Sequence, residues 1–446
     1  MLSLGLIAAF STQAMAVDVK FSGEYYAAGM YLDKTNLTKS TTGGNPSTAF
    51  YFQRLRVKTD FVVSPGLTLT SRADIMERAW GAARSGTGTT LDTGSAGTKA
   101  ENENIAIDWA YLTYSAPVGI FSVGYMNDGA TGTIFGNSAA PAARIKYGKA
   151  FGPATLNLAY TKVNGGEKSN PFGVPGGWAD ADNDKYGIEG VYTWKDGKAG
   201  LNINYYNYRA NRPAATSNKS NYFLITPYAT AKIGPVALQA EINYAIGEQK
   251  YEDGVTYVSV EDGSAKDKRD LQGISAWIDA TADFKMFYVG GSVAYVSGND
   301  PGTDKNEAQT VSGGIDWDPC LIMFNGDRSY WAGNLAGYAG TTTNGNAFAN
   351  GYFAQLRGGV RPAEKFDIMA SLSWAYADKT GLGATWEGRD YGYEIDVTGT
   401  YKITNNLSYM LGAGYWMVGK YYKGTTATNH DLADDFMVMN KLTLTF

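Results

Sequence analysis

From Val17 to Phe446 one pattern repeats: segments of about ten to fourteen residues in which apolar and polar side chains alternate, broken by Gly, Pro, Asn and Asp. Period two puts successive side chains on opposite faces of an extended strand. In the last segment, Phe436-Met437-Val438-Met439-Asn440-Lys441-Leu442-Thr443-Leu444-Thr445-Phe446, the even positions are mostly apolar and the odd ones include Lys441, Thr443 and Thr445. Tyr391, Tyr393, Ile395 and Val397 alternate in the same way with Asp390, Gly392, Glu394 and Asp396, acids that a helix would scatter around its circumference. One face of such strands suits lipid and the other water. No segment approaches the ~20 consecutive apolar residues of a membrane-spanning helix, so any passage through a bilayer is made by strands.

The connections alternate in length. Tight turns at Ser64-Pro65-Gly66, Pro117-Val118, Gly152-Pro153, Asp196-Gly197, Gly234-Pro235 and Thr404-Asn405-Asn406 are separated by long polar loops such as Gly81 to Glu103, Asn164 to Asn183 and Glu248 to Asp270. Short turns at one rim and long loops at the other suit a transmembrane antiparallel up-and-down β-barrel. Nineteen segments are legible, starting near residues 17, 49, 67, 104, 119, 142, 153, 184, 198, 221, 236, 271, 286, 308, 351, 366, 389, 405 and 435. Because single-chain bacterial barrels close with even numbers, the run Cys320 to Phe324 is taken as one further strand, predicting about 20 strands, with 18 as the alternative. Aromatic clusters at Trp109-Ala110-Tyr111, Tyr192-Thr193-Trp194, Tyr205-Tyr206-Asn207-Tyr208 and Tyr415-Trp416 are expected in the headgroup zone.

Composition narrows the chemistry. Cys320 and His430 are the only residues of their types among 446. A Cys/His nucleophile pair or a zinc site would consume both and remain incomplete, so no catalytic residue, metal or cofactor is assigned. The net charge of -5 and the dispersed basic residues give no track for a nucleic-acid backbone. Residues 1–16 have a short apolar stretch ending in Ala14-Met15-Ala16, the small-x-small pattern of a signal peptide, although no Lys or Arg precedes it. Residues 17–446 would then form the barrel, and a lone thiol leaves an exported chain without an internal disulfide.

The leader ending Ala14-Met15-Ala16, the first strand Val19-Lys20-Phe21-Ser22-Gly23 and the closing Lys441-Leu442-Thr443-Leu444-Thr445-Phe446 together resemble the Gram-negative outer-membrane porin superfamily. The resemblance implies an outer-membrane channel for passive diffusion of small hydrophilic solutes, surrounded by lipid and lipopolysaccharide. In that family a terminal aromatic residue is the assembly signal, and homotrimers are common. Two other uses of a barrel stay open: a structural sleeve for a partner such as an electron carrier, and a dedicated polysaccharide exporter. The chain has no Cys-x-x-Cys-His haem site of its own.

In a water-filled barrel the inward charges set selectivity. With Leu55, Val57 and Phe61 facing outward, Arg54, Arg56, Lys58 and Asp60 face inward; with Leu69, Ala73 and Ile75 outward, Arg72, Asp74 and Arg78 face inward; Ile145 and Tyr147 outward place Arg144 and Lys146 inward. These form a basic ladder expected to favour anions. Glu394 and Asp396, with Asp279 and Asp283, supply acidic walls opposite; the bland alternative is that the charges cancel in structural ion pairs. The loop from Asn127 to Ala143, rich in small residues, is a candidate constriction, and Gly326 to Asn350, with Arg328, Tyr330 and Trp331, is a candidate plug. Asp180, Asp182 and Asp184 have calcium-loop spacing, but Lys185 and Val191 stand where such a loop needs Gly and Glu. His430 beside Asp431 is read as solvated surface, and Cys320 as a small apolar residue.

Overall fold

Alternating segments satisfy their backbone hydrogen bonds only by pairing with neighbours, and in a bilayer such a sheet must close on itself. The structure, a computed structural model, describes all residues except 1–16, 40–44, 82–104, 130–131, 139, 166–181, 210–216, 253, 309, 343–346, 382–384 and 426–429. The expected leader and most of the loop from Gly81 to Glu103 therefore lie outside the described residues.

Eighteen strands form one antiparallel sheet. The first six are β1 (Asp18–Leu32), β2 (Thr48–Ser64), β3 (Leu67–Ala79), β4 (Ile105–Ala116), β5 (Gly119–Asn127) and β6 (Pro141–Phe151). Next come β7 (Ala154–Asn164), β8 (Asn183–Trp194), β9 (Gly197–Tyr208), β10 (Asn218–Ile233), β11 (Val236–Tyr251) and β12 (Lys268–Asp283). The last are β13 (Phe287–Val296), β14 (Gly351–Ala363), β15 (Phe366–Ala377), β16 (Asp390–Lys402), β17 (Leu407–Val418) and β18 (Asp435–Thr445). Each pairs with the next in sequence, and β18 returns to β1 from Glu24 opposite Thr445 to Leu32 opposite Met437, closing the barrel. Gly152 (φ 62°) and Gly234 (φ 60°) supply the left-handed backbone at two of the short turns. Beyond the long-loop rim, residues 257–258 and 265–266 form a small separate hairpin, pinned where Lys266 and Ser259 both bond Asp304 at 2.8 and 2.6 Å.

The count is the alternative of eighteen rather than twenty. Every other predicted start falls within three residues of an observed strand, but the segments near 308 and at Cys320–Phe324 are not strands. Cys320, Ile322, Met323 and Phe324 are all buried. Their run is apolar at consecutive positions, which fits a segment enclosed on all sides and not one with a wet face.

The outward face is an apolar surface that a water-soluble protein would not leave bare. Register aligns Leu69, Leu112, Val123 and Ile145 in one row across four strands, and all four are exposed, Val123 and Ile145 by 51 and 53 %. We expect Leu112→Arg to lower stability in lipid vesicles by about 2–4 kcal/mol if the row lies at the bilayer midplane, measured by urea unfolding. Thr113→Arg, one residue along and facing the lumen, should cost much less.

Candidate functional site

The lumen has two unlike halves. One is filled by the described residues of 297–350, the connection between β13 and β14, which leave the rim and fold back inside. Its apolar side chains meet an inner wall that is apolar here too: Tyr26, Met30 and Leu32 on β1, Phe52 on β2, Phe353 on β14, Trp416 on β17 and Met437 on β18 are buried together with Trp317, Ile322, Phe324, Leu335 and Phe348 of the plug. Phe52 stacks on Trp331 at 4.5 Å, and Trp317 packs edge-on against Phe353 at 5.1 Å. The plug is hooked to the wall by polar contacts. Both carboxylate oxygens of Glu394 accept hydrogen bonds, from the backbone N–H groups of Ile322 and Met323, each at 2.6 Å. The side-chain amide of Gln355 donates to the Pro319 carbonyl at 2.6 Å.

Within the plug, Asn325 caps the short helix α1 (Gly326–Ala332) by accepting from Arg328 N. The wholly buried Arg328 guanidinium then donates to the carbonyls of Ile322 and Gly333 at 3.0 and 2.8 Å. Burial draws it down to about 10, still above neutral pH, so it remains a charged strut. The described residues of the candidate plug Gly326 to Asn350 lie inside the barrel, in a segment that begins some thirty residues earlier.

The loop between β5 and β6 also turns inward. Its turn at Ile134–Gly136 places Phe135 parallel to Trp277 of β12 at 5.6 Å and edge-on to Trp317 at 5.1 Å. Thr133 donates both N–H and hydroxyl to Glu241, at 2.7 and 2.8 Å. Ala139, expected among its packing residues, lies outside the described residues.

The basic residues of the ladder are matched by acids. Arg56 makes a bidentate pair with Asp74 at 2.6 and 2.7 Å. Arg54 lies 3.5 Å from Glu77 and 3.7 Å from Glu24, and Lys58 is 2.8 Å from Asp60. Arg72 pairs with Asp108, its guanidinium 3.5 Å over the Trp109 ring. Arg78 is buried and also engaged. On the acidic side, Asp279 pairs with Arg357 and Asp283 with Arg361, at 2.7 and 2.9 Å. Glu394 and Asp396 are buried, and Glu394 is bonded to the plug, so neither lines an open pore. Cys320 joins these two acids in a cluster whose ligand atoms lie within 4.8 Å of one another. Since Glu394 already accepts two N–H bonds, the arrangement reads as the plug's seat.

Strict alternation missed Glu77, Asp108 and Trp109 because β-bulges reset the phase. Residues Met76 (φ 53°) and Glu77 stand opposite Arg54 alone, and Asp108 is the extra residue where β3 meets β4. The aromatic clusters also divide. Tyr192 and Trp194 face outward, but Tyr206 stacks on Tyr222 at 4.5 Å inside the barrel, and Trp416 is buried against Tyr422, a correction to their expected place at the headgroups. Tyr222 came from no cluster; its alternation with Leu224, Thr226 and Tyr228 on β10 was the available signal. Asp182 and Asp184 neutralise Lys162 at 2.5 and 3.1 Å, while Asp180 lies outside the described residues. His430 stacks on Tyr338 at 4.1 Å, its Nδ1 2.6 Å from the Lys423 carbonyl.

The other half of the lumen, walled by β4 to β11, is open and polar, with a cavity of about 570 Å³. Asp128 forms ion pairs with both Arg144 and Lys185, binding the inward loop to β6 and β8. Glu189 accepts from Asn157 and Tyr228 at 2.9 and 2.8 Å. Lys146 lines the same space with Asn202 and Asn204.

No family model matches the chain, and no curated protein matches it. Solved structures of similar shape include OpdQ of Pseudomonas aeruginosa, with 12 % identity, TM-score 0.48, and 96 % of this chain and 98 % of that one covered. They also include an anion-selective porin from Comamonas acidovorans, with 10 % identity, TM-score 0.46, and 96 and 100 % covered. The outer-membrane channel DcaP of Acinetobacter baumannii is similar at 11 % identity and TM-score 0.46, with 98 and 99 % covered.

Proposed function

We propose that the chain is a passive channel for small hydrophilic solutes in a bacterial outer membrane. One observation carries this reading: a closed barrel, apolar outside, keeps a polar cavity of about 570 Å³ along half of its interior while its own chain fills the other half. The apolar belt would meet lipid and, at the long-loop rim, lipopolysaccharide. Such a function needs no catalytic group, and a barrel half filled by its own loop is poorly suited to sheathing a partner protein.

The paired ladder at Arg54, Arg56, Lys58, Arg72 and Asp74 gives a local transverse field with little net charge. A preference for anions would come instead from Arg144, Lys146 and Lys185, two of which share Asp128. Conductance of the folded protein in a planar bilayer, with a salt gradient, tests both points. We expect stable open steps and a reversal potential biased toward anions. A sealed barrel would overturn the channel reading, and a cation-biased potential would overturn the selectivity.

A further inference from the structure

Barrel register lays the inner wall out as a grid. Arg144, Thr161, Lys185, Tyr206 and Tyr222 form one row across β6 to β10; Lys146, Ala159, Gly187, Asn204 and Leu224 form the next; Gly148, Asn157, Glu189, Asn202 and Thr226 form the third. The middle row has the smallest residues at its centre. Ala159 and Gly187 leave a trench floored by backbone, with Lys146 on one side and Asn204 on the other. Three strand spacings of ~4.8 Å separate the two, about 14 Å between backbones. Asn204 leans into this trench, since a Cβ on Gly187 would come within 2.7 Å of its side-chain oxygen.

The groups around the trench differ in what they have already bonded. Arg144 and Lys185 above it are tied to Asp128, and Glu189 below it is tied to Asn157 and Tyr228. The side chains of Lys146, Asn202 and Asn204 form no hydrogen bond or ion pair among the described residues, although all three line the cavity. An ammonium held beside Arg144 without its own carboxylate calls for an anion. Carboxamides that can donate and accept suit hydroxyl groups.

We infer that this trench is a binding subsite for a small hydroxylated carboxylate, with the carboxylate on Lys146 and the hydroxyl-bearing carbons along Gly187 toward Asn204 and Asn202. The inference deepens the channel reading, on which it rests for the supply of solute. A weak subsite of this kind would raise the local concentration of one solute class without blocking the passage of others.

The test is titration calorimetry of the folded barrel in detergent with three probes: gluconate, glucose and acetate. Gluconate should bind roughly tenfold or more tightly than either, because glucose lacks the carboxylate for Lys146 and acetate lacks the hydroxyls for Asn204 and Asn202. Lys146→Gln should reduce gluconate to the level of glucose, and Lys146→Arg should restore part of the difference. Asn204→Ala should weaken gluconate and leave acetate unchanged. Equal binding of acetate and gluconate, or gluconate binding unmoved by both Lys146→Gln and Asn204→Ala, overturns the subsite. Because calorimetry does not require conduction, an open channel that ignores gluconate removes only the subsite. A sealed barrel that still binds it removes only the channel.

Discussion

Replacing residues 301–347 by a short Gly/Ser linker should leave a folded barrel whose single-channel conductance rises several-fold. The eighteen-strand ladder is complete without this segment, since each strand pairs with its sequence neighbours and β18 with β1. The segment's described residues occupy the half of the lumen faced by β14 to β18 and the adjoining parts of β1 and β2. Its removal opens that half to water and exposes Tyr26, Met30, Phe52, Phe353 and Trp416, now buried. The variant should therefore unfold at lower denaturant concentration than the parent while conducting more. Unchanged conductance in a variant shown to be folded would mean that the segment does not obstruct the pore.

The second large effect is expected at one side chain. Glu394→Ala removes the acceptor of two buried N–H groups, those of Ile322 and Met323. Each unsatisfied donor costs about 1–3 kcal/mol, so the plug's attachment should weaken by about 2–6 kcal/mol. The barrel wall itself should be nearly as stable as before, because the loss falls on the plug and leaves the strand ladder intact. Limited proteolysis should then cut within residues 297–350, and current traces should show frequent steps between two levels. Glu394→Gln keeps one acceptor oxygen and should fall between the two. A variant with the parent's protease resistance and quiet current would show that the apolar contacts alone hold the plug.

The strands were legible because burial imposes a local rule: one face apolar, the other polar, residue by residue. That rule fails where both sides of a segment are enclosed. Met437 and Met439 occupy the face assigned to water in the last strand, and they are buried because the plug lies against them. The run at Cys320 to Phe324 misled for the same reason, since a segment inside a barrel is apolar all round and resembles a buried strand. For the charged ladder, cancellation in ion pairs was legible as an alternative, but two of the acids that do the pairing were not. Asp108 and Glu77 reach Arg72 and Arg54 only because bulges turn them inward, and a bulge leaves no mark in the alternation of side chains. The subsite residues Asn202 and Asn204 were missed because an amide on a wet face is unremarkable until register sets it in line with Lys146.

The closure of the barrel carries a consequence for how the chain must be made. Glu24 pairs with Thr445, so the first strand stays without its second partner until the final residues are available. Until then a growing sheet has two open edges, each able to recruit a strand from another molecule. Joining ends more than four hundred residues apart also adds a large loop-closure entropy to the last step, which makes completion slow relative to the local hairpins. Folding of this chain should thus be strictly post-translational, and truncation of a few C-terminal residues should shift the product from closed monomeric barrels toward edge-joined aggregates.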